Sequence, residues 1–150
     1  MTVELDGEIH ELKYEPGESA DQSAGGNSNW RGPIWAPVND VVIEALAIYH
    51  AYFKKPLMKQ GRKQITIEEA SQRLVQRLIS LFEYNEKGER PYLSHNDVFK
   101  DDPLWFFEHF DGETGRGLGA SHQNGWTSIM GKLIHHQGKA LYTPQNWEGK

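Results

Sequence analysis

Residues 37–53 read Pro37-Val38-Asn39-Asp40-Val41-Val42-Ile43-Glu44-Ala45-Leu46-Ala47-Ile48-Tyr49-His50-Ala51-Tyr52-Phe53, and this stretch decides the class of fold. Pro37 suits a first helical turn, where its missing N–H would have no partner in any case. Val38, Val41, Val42, Ile43, Ala45, Leu46, Ala47, Ile48, Tyr49, Ala51, Tyr52 and Phe53 then leave hardly any polar face. A helix apolar nearly all round is buried on most sides, as an inner helix of a larger assembly is. Lys54, Lys55 and Pro56 supply a cationic end and a stop signal.

Downstream, Thr66-Ile67-Glu68-Glu69 is a capping box: the Thr66 hydroxyl takes an orphan backbone N–H and Glu69 reaches back to the cap. Ala70, Leu74, Val75, Leu78, Ile79 and Phe82 follow at three- and four-residue steps, the pattern of an amphipathic surface helix. Residues 85–102 are polar and turn-rich, 103–110 form a compact aromatic run, and 111–125 are rich in glycine. A last helix is expected from about Trp126 through Ile129, Met130, Leu133 and Ile134, followed by a frayed tail.

Upstream, Val3, Leu5, Ile9, Leu12 and Tyr14 alternate with polar residues around Asp6-Gly7, which predicts a β-hairpin. Residues 15–29 have no apolar periodicity and read as a loop, long for a structureless connection. The expected organisation is a mainly α chain in one segment: a hairpin over 1–14, a loop over 15–36, a helical part over 37–138 and a tail over 139–150.

The 150 residues leave room for one modest domain, and 16 Lys+Arg against 21 Asp+Glu give a net charge of −5. A basic nucleic-acid binder is not expected. The absence of cysteine excludes disulfides, thiolate metal sites and a cysteine nucleophile. No apolar run approaches the ~20 residues of a membrane span, and the N-terminal residues lack a signal peptide's apolar core. These features predict a soluble protein with no membrane partner, with the cytoplasm favoured. Three helices, one apolar on nearly every side, cover each other poorly, whereas a domain of this length buries ~70% of its extended-chain surface. The chain therefore reads as part of a larger helical domain.

Three segments carry candidate chemistry. In Gly25-Gly26-Asn27-Ser28-Asn29-Trp30-Arg31-Gly32-Pro33-Ile34-Trp35, indoles can stack on sugar faces while Asn and Arg give directional hydrogen bonds. The same residues could instead plug the end of a helical core, with Arg31 capping carbonyls. In Trp105-Phe106-Phe107-Glu108-His109-Phe110-Asp111, Glu108 sits in the most aromatic window of the chain, where desolvation would raise its pKa and suit it as a base. The plainer role for such a Glu is an exposed edge or an ion pair, and for Asp111 and Glu113 turn chemistry. In Gly119-Ala120-Ser121-His122-Gln123-Asn124-Gly125-Trp126-Thr127, Ser121 and His122 are sequence neighbours that seldom face each other, and no nucleophile elbow is present. The histidines lack metal-ligand spacing and the glycines match no nucleotide loop, so neither a metal nor a cofactor is expected.

Taken together, GGNSNWRGPIW entering an apolar helix, the FEHFD run, and GETGRGLGASHQNGWTS entering the final helix resemble the C-terminal end of glycoside hydrolase family 63. The likeness is to the bacterial glucosidase-like members related to processing mannosyl-oligosaccharide glucosidase, and it extends from about Tyr14 to Ile134. The resemblance implies an (α/α)6 barrel and hydrolysis of an α-glucosidic bond with inversion, acting on an α-glucoside or oligosaccharide. It implies Glu108 as the general base, since the family's base is the Glu of an aromatic run. Trp30, Arg31, Trp35, Gln123, His122 and Trp126 fall on or beside the sugar subsite. The family's general acid, an Asp, lies on a helix before the segment matching Glu15. The expectation is thus a C-terminal fragment, inactive alone and completed by the rest of the barrel, in the same polypeptide or as a separate chain. A small non-catalytic carbohydrate- or partner-binding module is the alternative.

Overall fold

The computed structural model describes residues 1–11, 13–19, 30–53, 56–61, 63–94, 104–122 and 124–137. Leu12, most of the glycine-rich loop, Lys54-Lys55, residues 95–103, Gln123 and the tail from Gly138 lie outside the described residues. The chain is mainly helical, with small antiparallel hairpins.

Strands β1 (Thr2–Leu5) and β2 (Glu8–Glu11) pair antiparallel, with Leu5 opposite Glu8. The turn between them is Asp6-Gly7, both at positive φ (52° and 83°), the conformation that matches the twist of two-residue hairpins. The hairpin stands away from the core, with Leu5 and Ile9 exposed.

Helix α1 spans Ala36–Phe53, so Pro37 falls in its first turn as expected. The turn is closed by Asn39, whose backbone N–H and side-chain Nδ2 both donate to the Trp35 carbonyl, at 3.1 and 2.8 Å. Only Ala36, Ile43 and Ala47 of this helix are buried, while Val38, Val41, Val42, Ile48, Tyr49, Tyr52 and Phe53 are exposed. The apolar circumference read from the sequence is thus covered on one side.

The stop at Pro56 leads into a second hairpin, β3 (Pro56–Gln60) and β4 (Lys63–Thr66), inside the part expected to be helical. Its turn contains Gly61 at φ 59°. Helix α2 (Ile67–Ser80) begins at the capping box: the Glu69 N–H donates to Thr66 Oγ1 at 3.0 Å, and the Thr66 N–H donates to Glu69 Oε2 at 2.8 Å. Its apolar stripe carries Leu78 and Ile79 into a core completed by Ile43, Leu81, Phe82, Tyr92, Phe107, Phe110, Met130 and Leu133.

A third hairpin replaces what read as glycine-rich loop: β5 (His109–Phe110) pairs with β6 (Gly117–Leu118), and Ile34 bridges to Phe110 on the other side. The last helical segment is two helices, α3 (Asn124–Thr127) and α4 (Ile129–Gln137). Lys132 ties α4 to α1, donating to Asp40 at 3.1 Å and to Glu44 at 2.7 Å.

Candidate functional site

Four parts of the chain converge beside the N-terminal end of α1: residues 14–19, 30–35, 105–112, and 116–122 with 124–127. Backbone packing there is close. The Ile34 N–H donates to the Phe110 carbonyl at 2.7 Å, and the Gly112 N–H donates to the Pro16 carbonyl at 2.8 Å. A Cβ on Gly32 would lie 2.1 Å from the Glu15 carbonyl oxygen, so this layering requires glycine.

Glu108 is held in the middle of this layer. Its N–H donates to the Ala120 carbonyl at 2.9 Å, and the Ala120 N–H returns a hydrogen bond to Glu108 Oε2 at 3.1 Å. Its own carbonyl accepts from Trp126 Nε1 at 2.9 Å, and the preceding carbonyl, of Phe107, accepts from the fully buried Thr127 hydroxyl at 2.6 Å. Helix α3 therefore pins the peptide groups on either side of Glu108. The side chain is half-buried.

The next residue is far more deeply buried. His109 is 2% exposed, and desolvation lowers its pKa against the opposing pull of the Glu108 and Glu18 carboxylates. Its ring stacks on Trp35 at 4.4 Å, Trp35 stacks on Trp30 at 4.1 Å, and Trp126 meets Trp35 edge-on at 5.7 Å. The structure thus brings Trp30, Trp35 and Trp126 together next to Glu108. Both faces of Trp35 are occupied, by Trp30 and His109, and only 2% of it is exposed. Trp30, at 55%, is the outermost member of the stack.

The other expected contacts are placed differently. Arg31 donates to Glu15 Oε2 at 2.8 Å and to the Ser19 hydroxyl at 3.3 Å, an ion pair between two largely buried side chains. His122 packs on Trp105 and Phe106, with its Nδ1 facing the Phe106 N–H at 3.5 Å, and so belongs to a different group of rings. Gln123 lies outside the described residues. Asp111 has the turn role read for it: burial would raise its pKa, but bonds from the Thr114 and Glu113 N–H groups, the Thr114 hydroxyl and nearby Arg116 lower it overall. Glu113 accepts from the Tyr14 hydroxyl at 2.8 Å, the main reason the Tyr14 pKa is raised.

Sequence reasoning missed Glu15, Glu18, His109, Gly119 and Ala120. Gly119, at φ 68°, donates its N–H to Glu18 Oε1 at 3.4 Å, and a Cβ there would lie 2.6 Å from Glu108 Oε2. The available signal was the run of closely spaced glycines opposite an aromatic strand, which marks close backbone approach. Among the described residues no group of three metal-ligating side chains is gathered, and no helix is long and apolar enough to cross a membrane.

Residues 19–136 match the glycosyl hydrolase family 63 C-terminal domain, and the chain belongs to that family. It is 42% identical over 147 residues to the uncharacterised protein YMR196W of Saccharomyces cerevisiae, covering 91% of this chain and 14% of that protein. It is 27% identical over 114 residues to a probable mannosyl-oligosaccharide glucosidase of Schizosaccharomyces pombe, covering 73% of this chain and 11% of that protein. The chain therefore spans well under a fifth of either relative's length. No solved structure matches it.

Proposed function

We propose that this chain is the C-terminal part of an inverting α-glucosidase-like hydrolase, with Glu108 as the general base. The observation that carries the reading is the hold on Glu108: one carboxylate oxygen rests on the Ala120 N–H while α3 fixes the peptides on both sides. A base that activates water needs its carboxylate placed within hydrogen-bond reach of that water, and immobilising one oxygen leaves the other to take the proton. Trp30 offers the exposed indole for a sugar face, backed by Trp35, with His122, Arg31, Gln123 and Trp126 as further contacts of the subsite or of its walls.

Inversion needs a second carboxyl group, an acid ~6.5–9.5 Å from the base. In this reading the acid is an Asp supplied by the remaining helices of an (α/α)6 barrel, whether in the same polypeptide or a separate one. The exposed apolar side of α1, from Val38 to Phe53, supports such packing, because a surface of that kind marks a contact with further protein. The substrate class is an α-glucoside or oligosaccharide, and no metal or cofactor enters the mechanism proposed.

The test replaces the matching segment of the yeast relative with residues 1–150 and follows α-glucosidic disaccharides by NMR. Release of β-glucose is expected from the completed protein and no turnover from the 150-residue chain. Glu108→Gln in the chimera is expected to lower kcat at least ~100-fold with KM nearly unchanged. Unchanged turnover would remove Glu108 from the mechanism. Saturable sugar-dependent quenching of tryptophan fluorescence by a completed protein that never cleaves would instead favour the non-catalytic binding module.

A further inference from the structure

We propose that Glu18 is a second carboxylate of this site, a substrate-binding residue that accepts hydrogen bonds from ring hydroxyls of the sugar attacked with the help of Glu108. The proposal rests on the carbohydrate reading above and adds a residue that neither the aromatic runs nor the family match contains, since the matched stretch begins after it.

The argument starts from Gly119. Its left-handed φ of 68° sets a turn at which two consecutive N–H groups each meet a carboxylate: Gly119 N–H donates to Glu18 Oε1 at 3.4 Å, and Ala120 N–H donates to Glu108 Oε2 at 3.1 Å. The first comes from the N-terminal loop and the second from the aromatic run, so only the tertiary fold brings them to one turn. The Glu18 side chain is exposed, which leaves it open to a ligand.

Beneath the same turn lies His109. Its Cε1 is 3.0 Å from the position a Gly119 Cβ would take, so the edge of the ring that carries both nitrogens faces this glycine. The ring is 2% exposed, and among the described residues neither Nδ1 nor Nε2 has a hydrogen-bond partner. Burial holds the imidazole neutral even though both carboxylates favour its cation. Two carboxylates thus share a turn with a buried imidazole that has no hydrogen-bond partner among the described residues.

A ligand that suits this arrangement brings several neutral hydrogen-bond donors. A sugar does so: adjacent hydroxyls can donate to the two carboxylates without adding charge, and the ring lies against the exposed indole of Trp30. Charge-assisted hydrogen bonds of this type are stronger than neutral ones, so Glu18 contributes both affinity and a preference for particular hydroxyls.

The experiment titrates the full 15N-labelled 150-residue chain with methyl α-D-glucopyranoside and with its 2-, 3-, 4- and 6-deoxy analogues. The wild-type chain is expected to show saturable shifts at the Gly119 and Ala120 amides, with a clear loss of affinity for at least one analogue. Glu18→Gln is expected to weaken binding of the parent glucoside at least tenfold and to be indifferent to that same deletion. Because Glu18 is exposed, the rest of the amide spectrum is expected to stay unchanged. Equal binding by wild type and Glu18→Gln overturns the assignment of Glu18 and leaves the carbohydrate reading standing. A loss that is the same for every analogue overturns the hydroxyl contact. No shift with any glucoside in the wild-type chain overturns the assignment of Glu18, whereas the carbohydrate reading is decided by the chimera and its Glu108→Gln variant.

Discussion

Glu108 and Ala120 grip each other twice: the Glu108 N–H donates to the Ala120 carbonyl at 2.9 Å, and the Ala120 N–H donates to the Glu108 carboxylate at 3.1 Å. Main chain and side chain of the proposed base are thus referenced to one residue, and a displacement of that peptide moves both.

Gly119, which precedes Ala120, is the position where this grip is most easily broken. In Gly119→Ala the new Cβ would meet Glu108 Oε2 at 2.6 Å and His109 Cε1 at 3.0 Å, at a φ of 68° that an L side chain rarely adopts. The left-handed conformation alone costs about 1–2 kcal/mol. A urea denaturation series is expected to show at least that loss of stability, and the Ala120 amide resonance to move as the carboxylate is displaced.

The two stacked indoles separate by burial. Trp35→Ala empties a site that is 2% exposed and removes contacts to Trp30, His109 and Trp126, so about 3–5 kcal/mol of stability should be lost. Trp30→Ala, at a position 55% exposed, should cost far less while abolishing sugar-dependent quenching. Chemical denaturation and fluorescence titration of the two variants check both halves.

His109 makes stability depend on pH. Its pKa in the folded chain is lowered by burial, so below the ordinary histidine range the unfolded chain binds the proton more readily than the folded one. Its contribution is therefore unfavourable at acid pH, and stability should fall as pH drops from about 6.5 toward the lowered folded value. Midpoints of urea denaturation between pH 7.5 and pH 5 are expected to decrease in the wild type. His109→Phe, which keeps a ring on Trp35 but cannot titrate, should flatten the trend.

Thr66 is the fourth test. Thr66→Ala removes the acceptor for the Glu69 N–H and leaves half of a capping box. The expected cost is about 1 kcal/mol, read as a lower denaturation midpoint, with Thr66→Ser restoring most of it.

The elements legible in the sequence were those settled by neighbours along the chain. The Asp6-Gly7 turn, the Thr66–Glu69 box and the apolar stripe of α2 each rest on bonds or periodicities spanning a few residues. The hairpin of Pro56–Gln60 with Lys63–Thr66 was hidden because its strands are short and rich in Lys and Gln, and its only local mark is Gly61. The pairing of His109–Phe110 with Gly117–Leu118 was hidden among glycines that read as loop. Of the site, Glu108 stood out by its aromatic surroundings, and the same window concealed that the adjacent His109 is far more deeply buried.

By itself the sequence determined a mainly helical chain, a capped amphipathic second helix, an unusually apolar first helix and a resemblance that the family match bears out. Those properties follow from short-range hydrogen bonding, periodicity and motif order. Only the tertiary structure decided that Trp35 is enclosed between Trp30 and His109, that Arg31 is tied to Glu15, and that Glu18 and Glu108 meet on the consecutive N–H groups of Gly119 and Ala120. Apart from the Trp30–Trp35 stack, these contacts join segments far apart in the chain, and their geometry depends on how closely glycine-bearing backbones can approach, which no local pattern of residues encodes.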